Sequence, residues 1–268
     1  MRNAYRQEKT RQNRNQCKKR WISITLLALA LTGNISHAAN ERTLVLNNPT
    51  EAPYTTKAGD GFFDIIAGEA FRRVGLRIKL VTLPAERGLI NANAGIEDGD
   101  LSRIAGLEKI YPNLVRVPEK LMVMDFVSFA RHATPTEASW GSLEHLSVGD
   151  IKGWKIFENN LLPSTPITTA DDPEQLLTLL SKNRIDIALY DRWMGIALAK
   201  DMHLQNVRVV EPPLAKREMF IYLHQRHADK VPAIAAALRA IKAEGLYTKI
   251  CREKFSPLAV LTSQCDVK

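Results

Sequence analysis

From Thr43 onward the chain keeps switching its hydrophobic period, and that alternation constrains the fold more than any single motif. TLVLN (43–47) reads as a strand; Phe63, Ile66, Ala67, Ala70, Phe71 and Val74 then recur at three and four, which marks one face of a helix. RIKLVTL (77–83) is a second strand candidate. Pro84 suits the first turn of a helix reaching about Ala94, after which DGDLSRI (98–104) resumes a strand. Strands alternating with helices imply parallel pairing and an α/β sandwich.

A second series of the same kind follows the polar stretch RHATPTEAS (131–139). HLSVGDI is a strand, GWKIFENNL a helix, and PITTA a short strand. Pro173, Leu176, Leu177 and Leu180 share a helical face; DIALY is a strand, RWMGIALAK a helix and RVV a strand. REMFIYLHQR alternates as a strand, and the chain ends in a long helix with Val231, Ile234, Leu238 and Ile241 on one side, running on through GLYTKICREKF. Two series of about 90 residues each predict two lobes, joined near residues 130–139.

The formal charge of +8 suggests nucleic acid until its location is considered. Residues 1–38 carry eight basic side chains against Glu8, a net +7, so +1 remains for residues 39–268. The basic segment leads into WISITLLALAL, an apolar run shorter than the roughly 20 residues a membrane helix needs, and then into small residues at Ser36 and Ala38. This is the order of a secretory signal, and cleavage is expected after Ala38; an uncleaved anchor is the alternative. The charge then belongs to export, and no nucleic-acid partner is expected.

Cys17 precedes the apolar run, leaving Cys251 and Cys265 as an even pair in the exported chain. In an oxidising compartment they are expected to form a disulfide contributing roughly 3 kcal/mol, with two free thiols as the alternative. They lack CxxC spacing and make a poor metal site. No HExxH, GxSxG, Walker or GxGxxG pattern occurs, and neither metal nor cofactor is expected.

RIDIALYDRW raises a particular question, because its strand ends on a carboxylate, Asp191. Asp186 precedes Asp191 by the interval that separates Asp98 from Arg103, and each pair follows a helix. Arg103 and Asp191 therefore occupy equivalent strand ends, where open α/β sheets bind ligands. A cation on one side of a cleft and an anion on the other suits a zwitterion, with Arg103 forked onto a carboxylate and Asp191 accepting from an ammonium. The alternative is two solvated charges at strand ends. Asp98 and Asp186 are expected to begin strands or cap helices. Arg87 stands at a helix start near the presumed cleft, either as a ligand contact or as a surface charge. Trp154 and Trp193 either wall the pocket or fill lobe cores.

From about Thr43 to Phe255 the chain resembles the bacterial extracellular solute-binding proteins of family 3, the periplasmic amino-acid receptors of ABC importers. The resemblance rests on APYTT followed by GDGFFDIIAGEAFRRVGLRIKLVTLP, on SLEHLSVGDIKGWKI, on NRIDIALYD and on AALRAIKAEGLYTKICREKF, in that order and spacing. It implies a type II periplasmic-binding-protein clamp of two lobes, each a mostly parallel sheet flanked by helices. Residues 39–131 and 218–268 would make lobe 1 and 132–217 lobe 2, with crossover strands near VSFAR and EMFIY as the hinge. By position Tyr54 matches the family's cleft aromatic, Asp191 the acid that receives the ammonium, and Gly153 the turn whose amides meet the carboxylate. Two departures accompany it: IAGLEKIYPN has no Arg where amino-acid readers carry one, and Trp154 replaces a common Thr.

The resemblance further implies a monomer in the periplasm that hands a small polar or zwitterionic, amino-acid-like solute to the membrane permease of an ABC importer. Presentation of the closed clamp to a sensor protein is a second reading. A dehydratase-like enzyme on the same scaffold is a third, for which Glu86, Glu108 and Glu158 would be the available acids.

Overall fold

The computed structural model describes residues 42–131, 137–258 and Cys265. The leader at 1–38, its cleavage point and the lobe junction at 132–136 lie outside the described residues.

Among the described residues, nine strands join in one sheet in the order β2-β1-β3-β9-β5-β8-β6-β7, with β4 (Leu114–Arg116) paired to β9. β1 (Arg42–Asn47) pairs in parallel with β2 (Leu76–Val81) and with β3 (Gly99–Ile104). β6 (Val148–Ile151) pairs in parallel with β7 (Ile167–Ala170) and with β8 (Ile187–Asp191). Each parallel trio is then closed by an antiparallel strand, β9 (Arg208–His224) beside β3 and β5 (Met122–Ala130) beside β8. The internal correspondence is thus topological, and the architecture is the two-lobed clamp, with a mostly parallel sheet flanked by helices in each half.

The two halves are continuous through β5 and β9, which pair with each other from Met122↔Met219 to Ala130↔Arg208. RVV and REMFIYLHQR, expected as separate strands, form the single 17-residue β9. β4 escaped the sequence pattern because three residues carry no readable period.

The helices follow their apolar stripes. α1 (Phe62–Arg72) buries Phe62, Phe63, Ile66, Ala67, Ala70 and Phe71. Its first turn is held by Asp64, whose carboxylate accepts from the N–H groups of Gly61 and Thr56. α2 (Ala85–Ala94) ends at Gly95, in the left-handed conformation that glycine adopts at little cost. α3 (Lys155–Glu158) is a single turn rather than the helix expected over 153–161. α4 (Pro173–Ser181) begins with Asp172 accepting from Gln175 N–H, and α5 (Arg192–Asp201) follows β8 directly. The expected long C-terminal helix is broken into α6 (Val231–Ala243) and α7 (Leu246–Phe255), because Gly245 adopts φ +79°.

Cys251 in α7 and Cys265 form a disulfide, as expected from their pairing in an oxidising compartment. It holds Cys265, 2% exposed, against the helix. Among the described residues no helix is long and apolar enough to cross a membrane.

A buried charge ties the crossover strands together. Arg192, at the start of α5, is 6% exposed; its Nε lies 3.2 Å from Asp125 on β5, and its two Nη atoms reach Glu211 on β9 at 2.5 and 2.9 Å. Nothing in the sequence marked this residue. Removing one partner of a buried ion pair leaves the other uncompensated, which costs more than the pair contributes. Arg192→Met is therefore expected to lower the unfolding free energy by roughly 3 kcal/mol, and Asp125→Asn added to it to restore part of the loss. Urea denaturation measures both; a loss below about 1 kcal/mol for the single change removes Arg192 from this role.

Candidate functional site

A cavity of about 90 Å³ opens between the two halves beside the crossover strands. Pro49, Thr50, Ala85, Leu89 and the Ser102–Ile104 segment line one side; Gly153, Trp154, Lys155, Ile156 and Met194 line the other. Met124 and Phe126 on β5 and Met219 on β9 complete the wall.

Arg103 is the charged group of this wall on the β3 side. It is 9% exposed, and its Nη2 donates to Asp100 Oδ2 at 2.8 Å and to the Ala85 carbonyl at 2.7 Å. Asp100 is in turn held by Asn47 Nδ2 at 2.8 Å, and Asn47 Oδ1 accepts from Leu83 N–H. Gly88 permits this: a Cβ there would sit 1.8 Å from Asn47 Nδ2. The guanidinium is thus oriented by a chain reaching from β1 through β3 to α2, while its Nε is buried with no hydrogen-bond partner among the described residues.

Ser102 and Arg103 are consecutive, and in a regular strand they would face opposite sides. The register between β3 and β9 shifts between Asp100 and Arg103, and both residues line the cavity. Ser102 Oγ lies 3.9 Å from Met124 Sδ, a weak acceptor.

On the opposite side Gly153 takes φ +89°, which a side chain would strain. Its N–H donates to Glu158 Oε1 at 2.7 Å, so the amide expected to meet a carboxylate is occupied from within its own turn. The turn lies against the start of α2: a Cβ on Gly153 would be 3.4 Å from Glu86 N. Lys155 pairs with Glu158 at 2.8 Å and reaches Glu86 across the gap at 3.7 Å. Trp154 is half-buried, stacked at 8° on Phe157 with centroids 5.8 Å apart and edge-on to Phe126. Of the two tryptophans, Trp154 walls the cavity, whereas Trp193 is 1% exposed and packs edge-on against Phe255.

Asp191, Tyr54 and Arg87 do not line this cavity. Asp191 caps α5: Oδ1 accepts from Trp193 N–H at 2.9 Å and Met194 N–H at 3.0 Å, and Oδ2 from the Tyr54 hydroxyl at 3.3 Å. That answers why the strand ends on a carboxylate, since a strand leading straight into a helix needs an acceptor for the orphan amides of the first turn. Tyr54 is enclosed in the core, stacked on Phe63 and edge-on to Phe255, rather than open to the cleft. Arg87 is exposed. Asp98 and Asp186 do open strands, accepting from the backbone N–H groups of Val45 and Ser147 respectively.

Of the three acids considered for catalysis, two are held away from neutrality. The Glu108 carboxyl lies below its usual range through its own backbone N–H and, after the opposing effect of burial, the Tyr222 hydroxyl. Burial raises Glu158, but Lys155 and the Gly153 amide outweigh it and hold it low. Among the described residues no group of three or more His, Cys, Asp or Glu could hold a metal ion.

No family model matches the chain. An uncharacterized protein of Shewanella oneidensis is 23% identical over 198 residues, covering 69% of this chain and 73% of that one. Several solved structures share the fold. The GluR0 ligand-binding core in complex with L-glutamate superposes with a TM-score of 0.72 at 12% identity, over 82% of this chain and all of that one. An ancestral arginine-binding protein bound to glutamine gives 0.68 at 16%, over 80% and 97%. A histidine kinase sensor domain with similarity to periplasmic binding proteins gives 0.67 at 16%, over 80% and 96%. The fold is that of periplasmic binding proteins.

Enclosure pushes the Asp191 carboxyl up to about 7, against the pull of the Met194 and Trp193 amides and the Tyr54 hydroxyl, with the charge of Asp125 adding to the rise. A carboxyl whose folded value lies above its unfolded one stabilises fully below the unfolded value, near 4, and loses that contribution as pH rises through 7. Asp191→Asn keeps an acceptor for the cap and removes the titration. The stability of the wild type relative to this variant is expected to fall between pH 4 and pH 8 by an amount on the order of 4 kcal/mol at most. Parallel stability curves for the two proteins across that range, from urea melts, would remove this account of Asp191.

Proposed function

We propose that this chain is an extracytoplasmic solute-binding protein that closes over a small amino-acid-like solute and delivers it to the membrane permease of an ABC importer. The observation that carries the reading is the cavity itself, with an oriented, part-satisfied guanidinium from one half facing a tryptophan from the other across the crossover strands. Arg103 and Trp154 are the contact residues of this proposal, with the Gly153 turn lining the same wall. Lobe 1 comprises 39–131 and 218–268, lobe 2 comprises 132–217, and β5 with β9 forms the hinge; export to the periplasm through a leader at 1–38 belongs to the same reading.

Presentation of the closed clamp to a signalling partner is a second reading, supported by the fold shared with a histidine kinase sensor domain. The binding step is common to both and involves no turnover.

A panel of amino acids, organic acids, polyamines and short peptides, tested by thermal shift, checks the binding step. A cleft ligand is expected to raise Tm by several degrees at saturation, since it binds the folded state alone. Arg103→Gln is expected to abolish that rise; because it also leaves the buried Asp100 carboxylate without its cation, the rise is read against the variant's own ligand-free Tm. A panel that moves Tm equally in both proteins, or not at all, would count against Arg103 and the cleft.

A further inference from the structure

The walls of the cavity are unusual for a receptor of zwitterions. Among the described residues its side-chain charges are both positive, Arg103 and Lys155, and no carboxylate lines it. Several acids nearby are turned to other work, while Glu51, Asp171 and Asp172 line an adjoining hollow that shares Pro49, Ala85 and Trp154 with this one. Asp100 holds Arg103 from behind and is fully buried, Glu86 and Glu158 pair with Lys155, and Asp191 caps α5 beneath the Tyr54 hydroxyl. Apart from Thr50 and Ser102 the rest of the lining is largely apolar, with Leu89, Ile104 and Phe126 and three thioethers from Met124, Met194 and Met219.

Arg103 is nine-tenths buried at this wall and keeps Nε without an acceptor among the described residues. A buried guanidinium donor left unpaired is costly, and a carboxylate oxygen is its natural complement. Ser102 offers a hydroxyl next to it, whose partner among the described residues is a thioether at 3.9 Å. The polar end of the cavity therefore supplies two adjacent donors. An ammonium entering beside it would lose its water for two cations and a set of methionines. Methionine side chains adapt to irregular apolar shapes, which fits an aliphatic or aromatic body behind the carboxylate.

Resting on the binding step of the reading above, and replacing its amino-acid-like solute, we infer that the solute is a small apolar carboxylate without an α-ammonium group. Its carboxylate sits on Arg103 Nε and Ser102 Oγ, and its hydrocarbon part lies among Met124, Met194, Met219 and Trp154.

Matched pairs that differ only in the amine isolate the claim: 4-methylpentanoate against L-leucine, and 3-phenylpropanoate against L-phenylalanine, each titrated calorimetrically into the purified protein. The amine-free member of at least one pair is expected to bind at least tenfold more tightly, Arg103→Gln to weaken it at least tenfold, and Asp191→Asn to leave it unchanged. If the amino acid of a pair binds as tightly or more so, and Asp191→Asn weakens it, the inference is overturned while solute binding stands. It is likewise overturned, with solute binding intact, if none of the four binds but another member of the wider panel, such as glutamine or arginine, does. Failure of the whole panel overturns both the inference and the binding reading.

Discussion

The structure depends on one antiparallel ladder, that between β5 and β9. Among the described residues every other pairing in the sheet stays within one half, whereas this ladder runs from Met122↔Met219, next to β3, to Ala130↔Arg208, next to β8. Backbone hydrogen bonds keep such a connection stiff along the strands but permit twist across them. The register shift between Phe126 and Ser128 lies in the middle of it. Arg192 reinforces the same place by bonding both strands at once from the start of α5. The cavity lies where β5 and β9 pass between the halves, so residues far apart in sequence meet there without any loop having to span the gap.

Charge burial explains how the site is organised around this ladder. Three carboxylates near it are enclosed, Asp100, Asp125 and Asp191, and each is assigned to a different fixed donor set. Asp100 orients Arg103, Asp125 holds Arg192, and Asp191 caps a helix. With the acids so committed, the side-chain charges that remain at the cavity wall are cationic, and the thioethers and rings around them lower the local dielectric. The polarity of the site thus follows from structural duties elsewhere in the fold.

Much of this was legible from residue pattern. The alternation of periods located β1, β2, β3, β6, β7 and β8, and the spacing shared by Asp98–Arg103 and Asp186–Asp191 marked two halves of one topology, with Asp98 and Asp186 each bonding a neighbouring strand. The pairing of Cys251 with Cys265, expected from parity in an exported chain, is present. Local pattern failed where a second element decides the outcome. Asp191 has the spacing of a ligand contact, and the direct passage of β8 into α5 gives it the duty of a helix cap that local pattern does not show. Tyr54 carries a cleft aromatic's position in sequence but is stacked on Phe63, a partner nine residues away in α1. Ser102 was hidden by the alternation rule, since only the register shift in β3 brings it to the cavity beside Arg103.

The sequence by itself determined the α/β class, the doubled topology, the disulfide and the cationic strand end at Arg103, because each depends on residue type and short spacing. Tertiary structure alone decided that RVV and REMFIYLHQR are one strand, that Arg192 binds the crossover, and that Asp191 and Tyr54 bond each other away from the cavity. The physical reason is the same in each case. A buried polar group takes the partner that folding brings within about 3 Å, and for these residues that partner lies on an element whose proximity no local period encodes.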